Sequence, residues 1–304
     1  MTPVQAEERL VSVSEVAEIE LFVLKRMKEY TLGGHASVYK GPGFNFVGVR
    51  DSEPGDKISS IDWAQSSLTN FSPTITREFE QISNATVVAV ADASLSTRCG
   101  AHGASIASAI ARAVATIGMS AAVLQDMFGL IMFDGSARQV AAARPGLGKS
   151  HVLYCLDLYE RSAAQDAAGG GAFVDAIEAH SRKTSLVPII SDFLFADAAR
   201  LISDLSRLNA THDLFLMMID ARFAYRLPVA SAGWMDVYDV ETGRTRVVSR
   251  REFQGMAARV GEWQAEIQRL ARDADLDLVL VGLDRWAMET ALVEFVAERR
   301  LRKV

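Results

Sequence analysis

One stretch of the sequence has the side chains to hold a metal ion. Asp92-Ala93-Ser94-Leu95-Ser96 sets a carboxylate and two hydroxyls at alternate positions. These are hard oxygen donors, the kind that Mg²⁺ or Mn²⁺ takes. A second acid, Asp192, directly follows the apolar run Leu186–Ser191. In open α/β sheets, ligand sites lie at the carboxyl ends of strands. If both acids leave parallel strands at one rim, a cation between them offsets the cost of placing two like charges together. The plainer reading is that Asp92 and Ser94 cap a helix starting near residue 100, and that Asp192 does the same for the segment after it.

A competing motif lies between the two acids. Ala143-Arg144-Pro145-Gly146-Leu147-Gly148-Lys149-Ser150 is one residue short of a P-loop, with Ala143 where the strict form has glycine. Backbone amides and Lys149 would then cradle phosphates at a helix N-terminus, with Ser150 beside them and Asp192 as the second carboxylate. Pro145 removes one of those amides. The segment before it, with Ser136, Arg138 and Gln139, is more polar than a central strand. This motif supports an alternative function, a nucleotide-binding or metal-dependent phosphoryl hydrolase. Its bland counterpart is a surface loop with one basic residue.

Other reactive side chains form no constellation. His35, His102, His151, His180 and His212 are scattered, and Cys99 and Cys155 make no CxxC pair. The cysteines read as small apolar residues rather than as a disulfide or zinc site.

The elements that must position these groups follow from hydrophobic periodicity. Leu10, Val13, Val16, Ile19, Phe22, Val23 and Met27 recur at helical spacing, which predicts an amphipathic helix over 6–29. Residues 31–56 are rich in glycine and proline, so loops and short strands are expected there, with a strand at 71–80. The runs at 86–91, 127–133, 186–191, 213–219 and 276–281 are almost wholly apolar, as strands buried on both faces of a parallel sheet are. Residues 138–142 suggest a further short strand. Helices are predicted over 103–125, 150–161, 172–182, 197–208, 250–273 and 285–302. A hairpin is predicted over 234–249, turning near Glu241–Gly243. This alternation implies an α/β fold with a doubly wound, mostly parallel sheet, preceded by a glycine-rich β-containing module. The expected division is 1–82 and 83–304, with the hairpin as an insertion in the second part.

The whole-chain numbers agree. In 304 residues, 49% are hydrophobic and 23% charged, which is globular composition and excludes extensive disorder. The net charge of -6 argues against a broad nucleic-acid surface. The first residues carry no signal-peptide pattern, and no stretch approaches the ~20 apolar residues of a membrane span. A cytoplasmic protein with no membrane insertion is therefore expected.

Several residues together resemble one family. Gly43-x-x-Phe46-x-Gly48-x-Arg50 runs on to Pro54-Gly55-Asp56, then Ile61-Asp62-Trp63, then Arg77-Glu78-Phe79-Glu80. Phe128-Gly129-Leu130-Ile131-x-Phe133, Ser191-Asp192-Phe193 and Leu292-x-x-Phe295 follow in order. This series, over about residues 20–300, is similar to the DUF58 family. The stretch from Asp92 to Gly100, with the later Ser191-Asp192-Phe193, resembles the metal-ion-dependent adhesion site (MIDAS) of von Willebrand factor A domains, which DUF58 proteins carry behind such an N-terminal module.

The resemblance implies a function. Such proteins are paired with MoxR-type AAA+ ATPases in chaperone-like maturation or remodelling of protein complexes. It implies a non-enzymatic adaptor with Mg²⁺ (or Mn²⁺) on Asp92, Ser94, Ser96 and Asp192, and a client whose acidic side chain completes the coordination. It also hints at a partner-binding surface that includes Asp56, Asp62 and Trp63. Trp63 reads otherwise as a core anchor, and the two acids as turn-stabilising groups. One departure stands out. The adhesion site usually adds a threonine, but the corresponding loop, Gly169-Gly170-Gly171-Ala172-Phe173, has no hydroxyl. Thr184 sits at the wrong end of its strand, and Ser162 is the nearest substitute in sequence. A scaffold with a vestigial metal site is accordingly the second alternative.

Overall fold

The fold is given by a computed structural model, which describes residues 10–32, 40–41, 45–53, 56, 58–80, 85–101, 104–162, 172–180, 184–195, 198–225, 233–239, 244–282 and 288–294. The chain divides into two compact units: residues 1–26 with 85–296, and residues 27–84 with 297–304.

The larger unit is α/β. Its strands are β4 (Thr86–Asp92), β7 (Met127–Phe133), β8 (Gln139–Gly146), β9 (Leu186–Ser191), β10 (Asp213–Ile219) and β13 (Asp277–Val281). They form one mixed sheet in the order β13-β10-β9-β4-β7-β8. Every neighbouring pair is parallel except β7 and β8. After their first residue, β4, β7, β9 and β10 are buried throughout, which is why their sequences show no polar alternation. The short strand expected at 138–142 is longer than that and runs antiparallel at the sheet edge. The half-exposed pattern of β8 accommodates Pro145, which edge strands tolerate.

From β4 the chain winds outward through β7 to β8, then crosses back to β9 on the other side of β4 and winds outward again. The winding thus reverses between β4 and β9, and in open α/β sheets the carboxyl ends of strands at such a reversal are where ligands bind. Asp92 and Asp192 stand at those two ends.

Helices cover both faces. On one, α5 (Phe173–His180), α6 (Ala198–Leu208) and α7 (Arg250–Asp273) pack Phe173, Ile177, Leu201, Leu205 and Ile267 onto Val88, Ile131, Val187, Leu214 and Leu216. On the other, α3 (Ile106–Val123), preceded by the short antiparallel pair β5 (Gly100–Ala101) and β6 (Ala104–Ser105), lies against α4 (Lys149–Ser162) and β4. Gly118 lets α3 approach, since a β-carbon there would stand 2.6 Å from Val152 and 3.2 Å from the Phe128 ring. By length and composition α3 is apolar enough to cross a bilayer, contrary to the expectation that no stretch came near it. It is instead largely buried inside this unit.

The first helix, α1 (Val13–Leu32), buries Val16, Ile19 and Val23. Each such side chain contributes about 1.5–3 kcal/mol. The sequence division placed this helix wholly with the glycine-rich module, whereas its residues through Arg26 group with the α/β unit. Glu15 on α1 pairs with Arg112 on α3 at 2.7 Å, and Glu20 pairs with Lys149 on α4. The hairpin β11 (Trp234–Asp239) and β12 (Arg244–Ser249) is antiparallel and leads directly into α7, which Ser249 and Glu252 cap reciprocally. Its expected turn at Glu241–Gly243 lies outside the described residues. Residues 288–294 of the expected last helix are helical.

The smaller unit holds a three-stranded antiparallel sheet, β1 (Lys40–Gly41), β3 (Ile75–Glu80) and β2 (Asn45–Asp51), with β3 in the centre. A short helix, α2 (Trp63–Leu68), precedes β3.

Candidate metal centre

The two acidic turns meet. Ala91 and Ile190 are register partners on β4 and β9, so Asp92 and Ser191 occupy matching ends. The Ser191 hydroxyl donates to Asp92 Oδ2 at 2.6 Å across 99 positions of sequence. Asp92 Oδ1 accepts from the Ser94 amide at 2.9 Å and from the Ser94 hydroxyl at 2.6 Å. Ser94 and Ser96 Oγ lie 3.1 Å apart. Asp92 and Asp192 are both buried, at 0% and 3% exposure. Ser94 is also buried, and Ser96 is half-buried.

The turn has its own supports. Residues 95–98 form one turn of 3-10 helix, and the Thr97 hydroxyl donates to the Ser94 carbonyl at 2.7 Å. The helix-capping reading fails here. Ser94 caps nothing with its side chain, and α3 is capped by Ser105 and Ser108 in a reciprocal box. The Asp92 main-chain carbonyl accepts from the Tyr159 hydroxyl of α4 at 2.7 Å. Burial, and after it the negative charge of Asp92, push the Tyr159 phenol far above its usual range, so it stays a neutral donor.

The second turn is held from α7. Asp192 Oδ1 accepts from the Leu194 amide at 3.1 Å. The side-chain amide of the buried Gln264 donates to the carbonyls of Asp192 at 3.1 Å and Ile219 at 2.7 Å, clamping the ends of β9 and β10 together. Trp263 Nε1 donates to the Phe193 carbonyl at 2.9 Å. Phe193 has φ of 56°, a left-handed conformation uncommon for a bulky residue. The sequence reading missed Tyr159, Trp263 and Gln264. It quoted Ser191 within Ser191-Asp192-Phe193 but gave it no part in the site.

The donor set suits a hard divalent cation. It combines two buried carboxylates with two hydroxyls at the carboxyl ends of adjacent strands. Among the described residues, no three His, Cys, Asp or Glu side chains gather as a metal cluster. Any cation here would rest on carboxylates and hydroxyls together. Of the loop expected to supply a threonine, residues 169–171 lie outside the described residues, and Ala172 and Phe173 have no hydroxyl. Thr184 is exposed at the start of β9, the opposite end from Asp192. Ser162 is buried at the end of α4.

The near-P-loop is not built as one. Residues 143–146 are extended within β8, paired with β7. Because β8 runs antiparallel, Lys149 starts α4 at the rim opposite Asp192, where it is ion-paired with Glu20. Ser150 is exposed beside it. Asp192 therefore cannot act as the second carboxylate of that motif.

In the smaller unit, Arg50 makes a two-pronged pair with Asp56 at 2.7 and 3.0 Å and holds the acid down at about 2. Asp62 caps α2 through the Gln65 amide at 3.1 Å and accepts from Arg77 Nε at 2.9 Å; Arg77 lowers its pKa. Both acids thus fasten local backbone. Trp63 is 56% exposed, not a core anchor. Cys155 is buried, which pushes its thiol up to about 12, while Cys99 is half-buried; both are free of disulfides.

A family profile described as "Protein of unknown function DUF58" matches residues 48–263. Two uncharacterized proteins, Rv1480 of Mycobacterium tuberculosis and Mb1516 of Mycobacterium bovis, are each 25% identical over 292 residues, spanning 93% of this chain and 88% of theirs. Among solved structures, BatB from Bacteroides thetaiotaomicron aligns at 18% identity with a TM-score of 0.43, over 73% of this chain and 100% of that one. An aerotolerance-related membrane protein from Bacteroides fragilis aligns at 14% identity with a TM-score of 0.42, over the same shares.

Proposed function

The chain belongs to the DUF58 family, and from that premise we propose that it is a cytoplasmic, non-enzymatic adaptor with a von Willebrand A-like domain. It works with a MoxR-type AAA+ ATPase in the maturation or remodelling of a protein complex. Asp92, Ser94, Ser96 and Asp192 hold Mg²⁺ at the rim between β4 and β9. The ion supplies an electrophilic position for an acidic side chain of the client.

One observation carries this reading. Two buried acids from turns a hundred residues apart share a rim at which hydroxyls converge, with Ser191 bonded to Asp92 and continuous with Asp192. Burying two like charges together is costly unless a cation or several donors offset it. The chain's own residues shape the site. Ser94 orients the Asp92 carboxylate, Tyr159 fixes the Asp92 backbone, and Gln264 fixes that of Asp192.

The test is a pull-down of the ATPase and client by wild-type protein and by Asp92→Ala, with Mg²⁺ or with chelator. Capture that needs Mg²⁺ and is lost in the variant is expected. Capture that is the same in all four conditions removes the metal from the mechanism and leaves a scaffold.

A further inference from the structure

The Ser191 hydroxyl makes two bonds with opposite roles. Its proton goes to Asp92 Oδ2 at 2.6 Å, and its oxygen accepts from the Phe193 amide at 2.8 Å. The second bond helps keep Phe193 in its left-handed conformation, φ 56°. Such a conformation in a bulky side chain persists only where its surroundings enforce it. The Phe193 carbonyl is in turn the acceptor for Trp263 Nε1 at 2.9 Å. Trp263 is 39% exposed on α7, so the series begins at a fully buried carboxylate and ends at the surface. On either side of Phe193 the backbone is pinned. Gln264 holds the Asp192 carbonyl, and the Asp192 carboxylate holds the Leu194 amide.

We infer that Ser191 is a positioning residue that relays the charge state of Asp92 to the surface of α7, through Phe193 and Trp263. The inference rests on the metal reading of the rim. When the negative charge of Asp92 is drawn to a cation, Oδ2 becomes a poorer acceptor. The Ser191 side chain is then free to change rotamer about Cα–Cβ, which carries its oxygen away from the Phe193 amide. The Phe193 amide loses its acceptor, and the one residue between two pinned neighbours relaxes from the left-handed region. Its carbonyl swings, and the Trp263 indole bond breaks or re-aims. No bond is made or cleaved beyond these hydrogen bonds. A partner resting on α7 near Trp263 thereby senses whether the rim is loaded.

The relay can be read in the full chain by ¹⁵N–¹H NMR of the indole groups. Four tryptophans give four indole signals, and Trp263→Phe identifies one of them by its disappearance. Mg²⁺ alone is the probe, added to saturation for each variant as followed by the thermal midpoint. The Trp263 signal is expected to move by more than its line width on adding Mg²⁺ and to return with chelator. Ser191→Ala is expected to lose that movement, and Ser191→Thr, which keeps the hydroxyl, to retain it. If Mg²⁺ raises the thermal midpoint of the wild-type chain but leaves the Trp263 signal in place, the relay is overturned and the metal site stands. A full response in Ser191→Ala also overturns it. If Mg²⁺ changes neither midpoint nor signal, both readings fall. The wild-type titration decides the matter even if a Ser191 variant does not fold.

Discussion

The hydroxyl of Tyr159 donates to the main-chain carbonyl of Asp92 at 2.7 Å, tying the last turn of α4 to the first acid of the rim. Tyr159 is fully buried, so this bond has no water to replace it. Tyr159→Phe keeps the ring and removes the donor. We expect a loss of about 1 kcal/mol in unfolding free energy, the usual net value of such a bond. Mg²⁺ should also bind more weakly, because the turn carrying Ser94 and Ser96 starts at that carbonyl. Urea unfolding and calorimetric titration check the two effects.

A ligand that binds only the folded chain stabilises it by mass action. At a Mg²⁺ concentration a hundred times the dissociation constant, the gain is about 2.7 kcal/mol. The wild-type melting temperature should therefore rise with Mg²⁺. Asp192→Asn keeps the acceptor for the Leu194 amide but not the charge, and its melting temperature should stay flat across the same titration. A rise in both proteins would place the stabilising ion elsewhere.

Glu15 and Arg112 give a pH signature. Desolvation pushes the Glu15 carboxyl up, but the Ser12 amide and the Arg112 guanidinium outweigh it and hold the acid at about 2, against an ordinary 4.5. A carboxyl lowered on folding stabilises the fold above its unfolded pKa, and that stability drains away as pH falls from about 4.5 toward 2. Urea midpoints measured over this window should decline, and the decline should be shallower in Glu15→Gln. Equal slopes in the two proteins would remove this pair from the acid response.

Thr76 presents the reverse case. It is buried in β3, and its hydroxyl is the one buried side-chain polar atom without a hydrogen-bond partner among the described residues. Thr76→Val replaces that hydroxyl with a methyl of similar shape. It should stabilise the smaller unit by about 1 kcal/mol, the lower end of the penalty for an unsatisfied buried polar group. A drop in the denaturant midpoint would show that the hydroxyl is satisfied in solution.

The doubly buried strands were legible because a strand covered on both faces must be apolar at every position, as in Val87–Ala91 and Leu214–Ile219. The direction of β8 was not, since parallel and antiparallel edge strands draw on the same residues. Asp92, Ser94 and Ser96 were legible from spacing, because five consecutive residues carry the whole pattern. Ser191 was quoted as a strand end and within Ser191-Asp192-Phe193, but nothing in the sequence shows that its hydroxyl reaches Asp92. Gln264 and Trp263 were invisible for a different reason. They lie more than 70 positions from Asp192 on a helix rich in charge, and only the tertiary fold brings their polar hydrogens to Asp192 and Phe193. Trp63 misled through its type. It opens a helix of six residues, too short to bury both of its sides, and is left facing water.

The Gln264 clamp also has a consequence in time. The ribosome delivers Asp92 first, Asp192 a hundred codons later, and Gln264 only after a further 72 residues. A nascent chain halted before α7 already contains every proposed metal ligand, yet it lacks the Gln264 amide that bridges the carbonyls of Asp192 and Ile219. The rim takes its final shape late in translation, so a truncated product should keep the ligands and lack their alignment.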